Sequence, residues 1–378
     1  MIITRLILKN WKNFVSLDIP IGLRAFIMGP NASGKSNFLD AIAFLSDIAG
    51  SGFQNAVYSR DGPFRLRCAA AGKGEPVEIE IHLGDSPGTL PKWIYALGWK
   101  LPKGPNAPPL LAYERVWKDS KQILSRPNES DSKDPACLTA THLEQVIANA
   151  NFRDIPAFLK SVKFSNPVPE LLRHPHPFPP ADRPGDPFGR KILQSMAKMP
   201  EKDLKRTIKI IANFLKPAIP QLERLDLLQD ADGPHLQGTF EIGRPRAKHT
   251  EAYLSDGTLR AVALLWTFML NGSTMLLESP ETSIPPDALL RITRPFFVVA
   301  RETKKQLIIT AYTPYFLNDD IIPVTADEVV LLMPGDQNEG TSACLASSIP
   351  QIVQSMEEGV GAGEAVLPYC GPQDWVSF

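Results

Sequence analysis

Alternating apolar and polar residues near the amino terminus predict a series of β-strands. Some of these segments lie before residue 29, and others follow a predicted helix at Asn37–Ile48, whose apolar residues recur at helical spacing. The predicted strands are Ile2–Lys9, Phe14–Pro20, Leu23–Met28, Phe64–Ala70, Val77–Leu83, Trp93–Trp99 and Leu110–Trp117. This density of strands predicts a β-rich amino-terminal lobe.

The middle of the chain has a different character. Residues 119–135 are polar, which predicts a loop, whereas His142–Asn149 and Ile155–Val162 are predicted short helices. Prolines recur between Asn166 and Pro187, so this stretch should be an extended surface segment. We therefore predict an inserted, partly helical and proline-rich segment over residues 119–220.

An amphipathic helix is predicted from Glu201 to Lys216. Its apolar residues recur at helical spacing, and they are Leu204, Ile208, Ile211 and Leu215. Its basic residues gather towards another face, and they include Lys202, Arg206, Lys209 and Lys216. This basic helix, 202–216, could contact DNA phosphates, but charged outer faces of helices are common on proteins of every class. Both interpretations stay open.

The carboxy-terminal part predicts alternating helices and buried strands. A helix is predicted at Ala261–Leu270, with apolar strands at Met275–Glu278 and Gln306–Ala311. Closing elements are predicted at Ala326–Met333, Thr341–Leu345 and Ile349–Met356. The predicted organisation is an amino-terminal lobe over 1–118, the insertion over 119–220 and a carboxy-terminal lobe over 221–378.

Composition narrows the class of protein. A chain of 378 residues, 43% of them hydrophobic, is long enough for one large domain or two domains. Its 4 cysteines are widely spaced, which argues against a disulfide framework or a zinc site. The formal net charge of −1 gives no global attraction to nucleic acid, and no apolar run reaches the ~18 residues of a membrane span. We expect a cytoplasmic protein that is not bound to a membrane.

The octapeptide at residues 29–36, Gly-Pro-Asn-Ala-Ser-Gly-Lys-Ser, matches every fixed position of the phosphate-binding loop G-x-x-x-x-G-K-[ST]. In such a loop the backbone N–H groups point at the phosphates, the lysine, here Lys35, reaches the β and γ oxygens, and the hydroxyl of Ser36 joins the Mg²⁺ shell. The predicted cofactors are ATP and Mg²⁺. The predicted nucleotide-binding residues here are Gly29, Asn31, Ser33, Gly34, Lys35, Ser36 and Asn37.

The segment Tyr253–Arg260, Tyr-Leu-Ser-Asp-Gly-Thr-Leu-Arg, opens a predicted helix, and the apolar strand that follows ends in Glu278. A further strand is followed by Tyr312-Thr313-Pro314. Together with the phosphate loop, these segments resemble, in order, the motifs of ABC-type ATPases. The chain is most similar to the branch that includes RecF, SMC and Rad50 heads and OLD-type ATPases, among them stand-alone prokaryotic AAA-family ATPases. The resemblance leaves roughly residues 100–220 unaccounted for.

This resemblance implies an α/β fold: a P-loop ABC-type ATPase head with a β-rich amino-terminal lobe, a mixed central sheet and an inserted, partly helical segment. It also implies that two copies dimerise head to tail around ATP, with Ser255 and Gly257 completing the partner's site. A helix N-terminus suits an anion in that place. A helix cap explains Ser255 and Asp256 locally just as well, and the order of the motifs favours the nucleotide role.

Two positions depart from the family pattern. Ser279 stands where relatives keep the carboxylate that polarises the attacking water, and Tyr312 stands where they keep a histidine. Neither side chain acts as a base near neutral pH. Glu278 remains available to bind Mg²⁺ together with Ser36, and Glu281 is a candidate substitute base. We therefore predict tight ATP binding with slow hydrolysis.

Weaker candidates lie outside these motifs. Lys12 and Asn13 follow the first strand, where relatives place groups near the nucleotide, and an ordinary polar turn explains them equally well. Gln54 stands near the position of a magnesium-sensing glutamine, although the glycines before it indicate only a loop.

Two classes of function follow from the resemblance. The first is a nucleotide-gated dimeric clamp or sensor in prokaryotic anti-phage defence or DNA maintenance, which acts with a separate effector such as a nuclease or toxin. The second is a catalytically inactive, ATP-dependent scaffold that assembles or restrains a partner protein. Both predict a homodimer or higher oligomer formed through the nucleotide sites, and they differ in turnover.

Overall fold

The computed structural model of the chain describes residues 1–102, 104, 107–174, 185–242, 245–270, 272–318, 322–335 and 339–371. The strands are β1 (Ile2–Trp11), β2 (Phe14–Pro20), β3 (Arg24–Met28), β4 (Val77–Gly84), β5 (Trp93–Lys100), β6 (Leu110–Lys118), β7 (Lys121–Arg126), β8 (Lys163–Ser165), β9 (Leu222–Gln229), β10 (Pro234–Phe240), β11 (Ala247–Thr250), β12 (Thr274–Glu278), β13 (Gln306–Thr310), β14 (Val329–Pro334) and β15 (Thr341–Leu345). The helices are α1 (Lys35–Ser51), α2 (Phe53–Tyr58), α3 (Pro63–Leu66), α4 (Glu129–Lys133), α5 (Asp154–Ser161), α6 (Pro169–Arg173), α7 (Ile192–Ala197), α8 (Glu201–Leu215), α9 (Asp256–Met269), α10 (Pro286–Glu302), α11 (Pro350–Glu357) and α12 (Ala362–Val366).

These strands form three sheets within the described ranges. The amino-terminal sheet is antiparallel, with the order β2-β1-β4-β5-β6-β7. The central sheet has the order β15-β14-β3-β13-β12-β8, with parallel pairing except at β15. A small antiparallel sheet has the order β11-β10-β9. The predicted β-rich lobe and mixed central sheet are confirmed.

The central sheet is buried on both faces, which explains its nearly continuous apolar strands. On β3, Ala25 and Ile27 belong to the core shared with α1 and the amino-terminal sheet. The alternate residues Phe26 and Met28 belong to the second core, with α9 and α10 on the other face. Helix α1 is therefore held between two sheets, and the loop that precedes it is fixed at the carboxyl end of β3.

The prediction of a strand at Phe64–Ala70 is wrong. Gly62 has a φ of 91° and is followed by Pro63 at the first position of α3, and proline favours this place because its fixed φ suits a helix start. Phe64, an apolar residue of the predicted strand, is 62% exposed. The segment is therefore a short helix followed by a single bridge between Arg67 and Trp11.

The prediction of a loop over residues 119–135 is also wrong. Asp119 and Ser120, with φ of 46° and 67°, make a tight turn that pairs Lys118 with Lys121 and begins β7. Positive φ at both central residues suits the twist of a hairpin. After β7, the side chain of Asn128 accepts hydrogen bonds from the first turn of α4.

The predicted helix at His142–Asn149 is a series of turns instead. The buried Glu114 carboxylate accepts hydrogen bonds from the backbone N–H groups of His142 and Leu143, at 2.8 Å and 3.0 Å. Arg126 donates to the same carboxylate at 3.0 Å. This tertiary contact fixes the backbone in a conformation that local propensity did not indicate.

Among its described residues the proline-rich stretch contains one helix, α6, which begins at Pro169 and corrects the expectation of a wholly extended segment. Most of the His-Pro-His-Pro-Phe-Pro-Pro run lies outside the described residues. Strand β8, from the same part of the sequence, pairs with β12 at the edge of the central sheet. The three-part division at residues 118 and 220 stays a prediction.

Candidate functional site

The phosphate-binding loop connects β3 to α1 and depends on its glycines. Gly29 and Gly34 have φ of 147° and 95°, values that L side chains rarely adopt. A Cβ atom added at Gly29 would overlap the carbonyl oxygen of Leu332, and one added at Gly34 would overlap the amide of Asn13. Backbone conformation and close packing therefore both require glycine, as the motif predicts.

Asn13 supports this loop from the turn between β1 and β2. Its amide nitrogen donates to the carbonyl of Ser33 at 3.0 Å and to the hydroxyl of Thr341 at 2.8 Å. Its oxygen accepts from the amide of Asn37 at 2.7 Å. Lys12, next to it, pairs with Asp40 of α1 at 2.6 Å. The two residues therefore brace the loop and the helix that follows it.

Lys35 lies at the centre of the site. Its Nζ donates to the carbonyl oxygens of Gly29 and Pro30 at 2.7 Å and 2.8 Å, and it lies 4.6 Å from the centre of the Tyr312 ring. Burial lowers the pKa of Lys35, an effect opposed by the nearby Cys370 and Glu281. The side chain is held within the loop, at the position from which the motif predicts that it reaches phosphate.

Ser36 and Glu278 come together from distant parts of the sequence. The Ser36 hydroxyl donates to Oε1 of Glu278, and the other carboxylate oxygen accepts from the amide of Asn166 at 3.2 Å. Mg²⁺ takes oxygen ligands, usually one or two from the protein beside waters and phosphates. The Ser36 hydroxyl, in the first turn of α1, and the Glu278 carboxylate, at the end of β12, fit that requirement. Both lie beside the phosphate-binding loop.

Ser279 follows Glu278 in a strained backbone conformation, with a φ of 46°. Its N–H donates to the carbonyl of Thr310 at 2.9 Å, and the residue is buried. Its hydroxyl does not supply the negative charge of the carboxylate that the family pattern places here. At this position the structure has a buried hydroxyl side chain and no acid.

Glu281 lies beside the same site. Its Oε1 accepts from the backbone N–H of Tyr312 at 2.6 Å, whereas its Oε2 is buried without a hydrogen-bond partner among the described residues. Burial raises the pKa of Glu281. Tyr312 is 51% exposed, and its ring faces Lys35. The structure therefore brings Lys35, Glu281 and Tyr312 together, and their roles in catalysis stay a prediction.

The segment that contains Ser255 caps α9. The exposed Ser255 side chain accepts from the N–H of Thr258 at 3.3 Å. A Cβ atom at Gly257 would overlap the carbonyl oxygen of Ser283, so the first turn of α9 packs against the loop after β12. The local cap is observed, and the contact of Ser255 and Gly257 with a partner's nucleotide stays a prediction. Asn31 is also exposed, at the tip of the phosphate loop.

Sequence analysis missed two residues of the site, Asn166 and Arg260. The Arg260 guanidinium is buried and donates to the carbonyls of Ser279 at 2.9 Å and Glu278 at 3.2 Å, and to Oδ1 of Asn166 at 3.0 Å. The sequence did contain a signal for Arg260, because a charged residue within the apolar run of α9 indicates a buried side chain with polar partners. Asn166 gave none, because it lies in a proline-rich stretch that predicted only exposed chain.

Two weaker candidates lie outside this cluster of contacts. The amide of Gln54 donates to the carbonyls of Thr139 at 2.7 Å and Pro109 at 3.3 Å, so it joins backbone segments near the amino-terminal sheet. Helix α8 is confirmed, and its basic residues at 202, 206, 209 and 216 are exposed. Within the described ranges, no helix has the length and apolar character to traverse a bilayer.

The sequence matches the model of a protein family described as "AAA domain, putative AbiEii toxin, Type IV TA system" over residues 24–311. It is 62% identical over 40 residues to the chromosome partition protein Smc of Methanocaldococcus jannaschii, a match that covers 10% of this chain and 3% of that protein. It is 42% identical over 74 residues to the DNA replication and repair protein RecF of Brucella abortus, covering 18% of this chain and 19% of RecF. These matches span less than a fifth of either relative.

The fold is similar to that of a solved SMC head bound to the C-winged helix domain of ScpA. The TM-score is 0.53 at 14% identity, and the comparison covers 92% of this chain and 99% of that one. At this identity the likeness shows the fold alone. The predicted P-loop ATPase head is confirmed.

Proposed function

The chain belongs to the AAA-domain family whose model it matches over residues 24–311, and on this premise we propose that it binds ATP with Mg²⁺ in the site around Lys35. Family and fold make it an ATPase of the SMC/RecF type. The observation that carries the proposal is the hydrogen bond between Ser36 and Glu278, which places a hydroxyl and a carboxylate beside the phosphate-binding loop. Lys35 would neutralise phosphate charge there, and Mg²⁺ would supply charge stabilisation when bound.

We propose that two copies close head to tail, each with its Ser255 segment against the other's nucleotide. Three features support this arrangement: Ser255 is exposed, it lies at the start of a 14-residue helix, and Tyr253 beside it is 79% exposed. The N–H groups at a helix start attract anions. ATP would then act as part of the interface, and its loss would open the dimer.

Hydrolysis in this proposal is slow. Ser279 has no carboxylate to polarise water, and Glu281 uses Oε1 to accept a hydrogen bond from the N–H of Tyr312, which leaves only its buried Oε2 for that role. A positioned general base contributes about 10²–10⁴-fold to a rate. The same observations favour a second candidate, a scaffold that binds ATP, assembles or restrains a partner protein and turns over no faster than a variant without the site.

The cellular role that we propose is a clamp or sensor in anti-phage defence or DNA maintenance, with a separate nuclease or toxin as effector. The SMC and RecF relatives support DNA maintenance, and the family description supports a toxin–antitoxin context. DNA contact through the exposed basic face of α8 belongs to the same proposal. A cytoplasmic location fits all of these roles.

The test measures ATP affinity, phosphate release and oligomeric mass of the full chain, with and without Mg²⁺ and ATP. The variant Lys35→Ala removes the central cation, and Lys121→Ala removes an exposed lysine of β7 as a matched control. ATP-dependent dimerisation with turnover above that of Lys35→Ala supports the switch, and the same dimer with turnover at that background supports the scaffold. Equal ATP affinity in Lys35→Ala and wild type would contradict the site, and an unchanged mass would contradict the dimer.

A further inference from the structure

We propose that Asn166 and Arg260 are positioning residues that hold the Glu278 carboxylate in place as a Mg²⁺ ligand. This inference rests on the proposed function and assigns a role to two side chains to which the sequence motifs gave none. Ligating carboxylates are commonly held by hydrogen bonds from neighbouring groups, and those outer partners tune metal affinity.

Asn166 fixes the orientation of Glu278. A carboxylate has two oxygens, and here Oε1 faces the Ser36 hydroxyl while Oε2 accepts from the Asn166 amide at 3.2 Å. A quarter-turn of the carboxylate about its terminal bond would break both contacts, whereas a half-turn only exchanges two equivalent oxygens. Asn166 therefore selects the orientation in which one oxygen points towards the phosphate-binding loop.

Arg260 in turn fixes the orientation of Asn166. The guanidinium can only donate, so the oxygen of the Asn166 amide must face it, and the nitrogen must face Glu278. The observed contacts, 3.0 Å to the oxygen and 3.2 Å from the nitrogen, satisfy both requirements. The amide has one orientation that serves both neighbours.

Arg260 also holds the backbone that carries Glu278. It donates to the carbonyls of Glu278 and Ser279, and to that of Pro167, next to Asn166. Arg260 is 4% exposed, so it is a buried cation that joins β12 to the segment after β8. A lysine has the charge but not the planar fork needed to reach these acceptors together.

The experiment separates metal affinity from nucleotide affinity. Binding of a fluorescent ATP analogue is measured first in EDTA, and then during a Mg²⁺ titration, for wild type, Asn166→Ala and the matched control Asn149→Ala. Asn149 is a buried asparagine whose amide donates to the carbonyl of Leu143. We expect Asn166→Ala to raise the Mg²⁺ concentration for half-maximal effect by about 10–100-fold, with nucleotide affinity in EDTA unchanged and a loss of thermal stability no larger than that of Asn149→Ala.

Arg260→Lys should produce the same shift in Mg²⁺ dependence. Arg126→Lys is its control, because Arg126 forks between Glu114 and Asp131 in another buried network. If Arg260→Lys does not fold, the result for Asn166→Ala alone tests the inference. Asn166 is only half-buried, so we expect this variant to fold. A shift that appears equally in the control variants, or no shift in Asn166→Ala, would overturn the inference. Wild type that binds the analogue with no response to Mg²⁺ would overturn both this inference and the proposed function.

Discussion

The substitution Ser279→Glu tests whether one missing carboxylate limits turnover. Two hydrogen bonds hold the backbone of Ser279, and neither involves its side chain. The N–H of Ser279 donates to the Thr310 carbonyl, and the Ser279 carbonyl accepts from Arg260. Its φ of 46° is equally strained for serine and glutamate, so the replacement adds little backbone cost. The new carboxylate would also lie near the buried cation of Arg260, which offsets part of its desolvation.

The expected gain is that of a restored general base. We expect phosphate release to rise by about 10²–10⁴-fold, which corresponds to about 3–5 kcal/mol of activation free energy. The assay is steady-state and single-turnover phosphate release at saturating ATP, with Ser279→Gln as the control because it has the same size without the charge. Similar rates for the Glu and Gln variants, while both still bind ATP, would refute the reasoning and indicate that Tyr312 or the dimer geometry limits hydrolysis.

Further predictions concern the loop, its support and the thiol beside it. Gly34→Ala should lose ATP affinity and about 1–2 kcal/mol of stability, because alanine must adopt a φ of 95° and its Cβ would overlap Asn13; unchanged binding by calorimetry would contradict this. Asn13→Ala should lower the free energy of unfolding by about 1–3 kcal/mol, because the contacts with Ser33 and Thr341 are lost. Chemical denaturation measures this change, and an unchanged midpoint would refute the role of Asn13 in supporting the loop. Burial raises the pKa of Cys370 to about 11, so its thiol is almost wholly protonated at neutral pH, and its alkylation rate should rise about tenfold per pH unit from pH 7 to 10. The exposed Cys137 is the reference in the same protein, and a Cys370 rate that levels off below pH 9 would contradict the raised pKa.

The phosphate-binding loop could be predicted from sequence because its chemistry is contiguous. Eight consecutive residues, 29–36, specify the backbone shape, the cation and the metal-binding hydroxyl. The strand before them is a continuous apolar run and the helix after them has apolar residues at helical spacing, and both patterns are strong local signals. The contact between Ser36 and Glu278 could be predicted only from the resemblance to ABC-type ATPases, because no local sequence pattern pairs residues so far apart.

Elements governed by tertiary contacts escaped prediction. The small sheet β9-β10-β11 and helix α10 were not predicted, and Glu114 holds residues 142–143 in a turn where periodicity predicted a helix. The hairpin between β6 and β7 was missed because Asp119 and Ser120 signal a polar loop as well as a left-handed turn. For residues 142–143 the deciding partner, Glu114, lies on another element, and for the β6–β7 hairpin the deciding feature is a backbone angle.

Helix α9 connects the two halves of the proposed mechanism. Its first turn carries Gly257, which follows the Ser255 cap. We propose that this turn faces the partner's nucleotide. Arg260, which lies five residues after Ser255 on the same helix, holds the backbone of Glu278 and Ser279. A helix transmits displacement along its length because its backbone hydrogen bonds keep it rigid. Closure of a partner against Ser255 would therefore act on the carboxylate that faces Ser36, and the metal site of one copy would depend on the position of the other. A chain that lacks the usual catalytic acid can still use ATP in this way, since the coupling requires binding and not turnover.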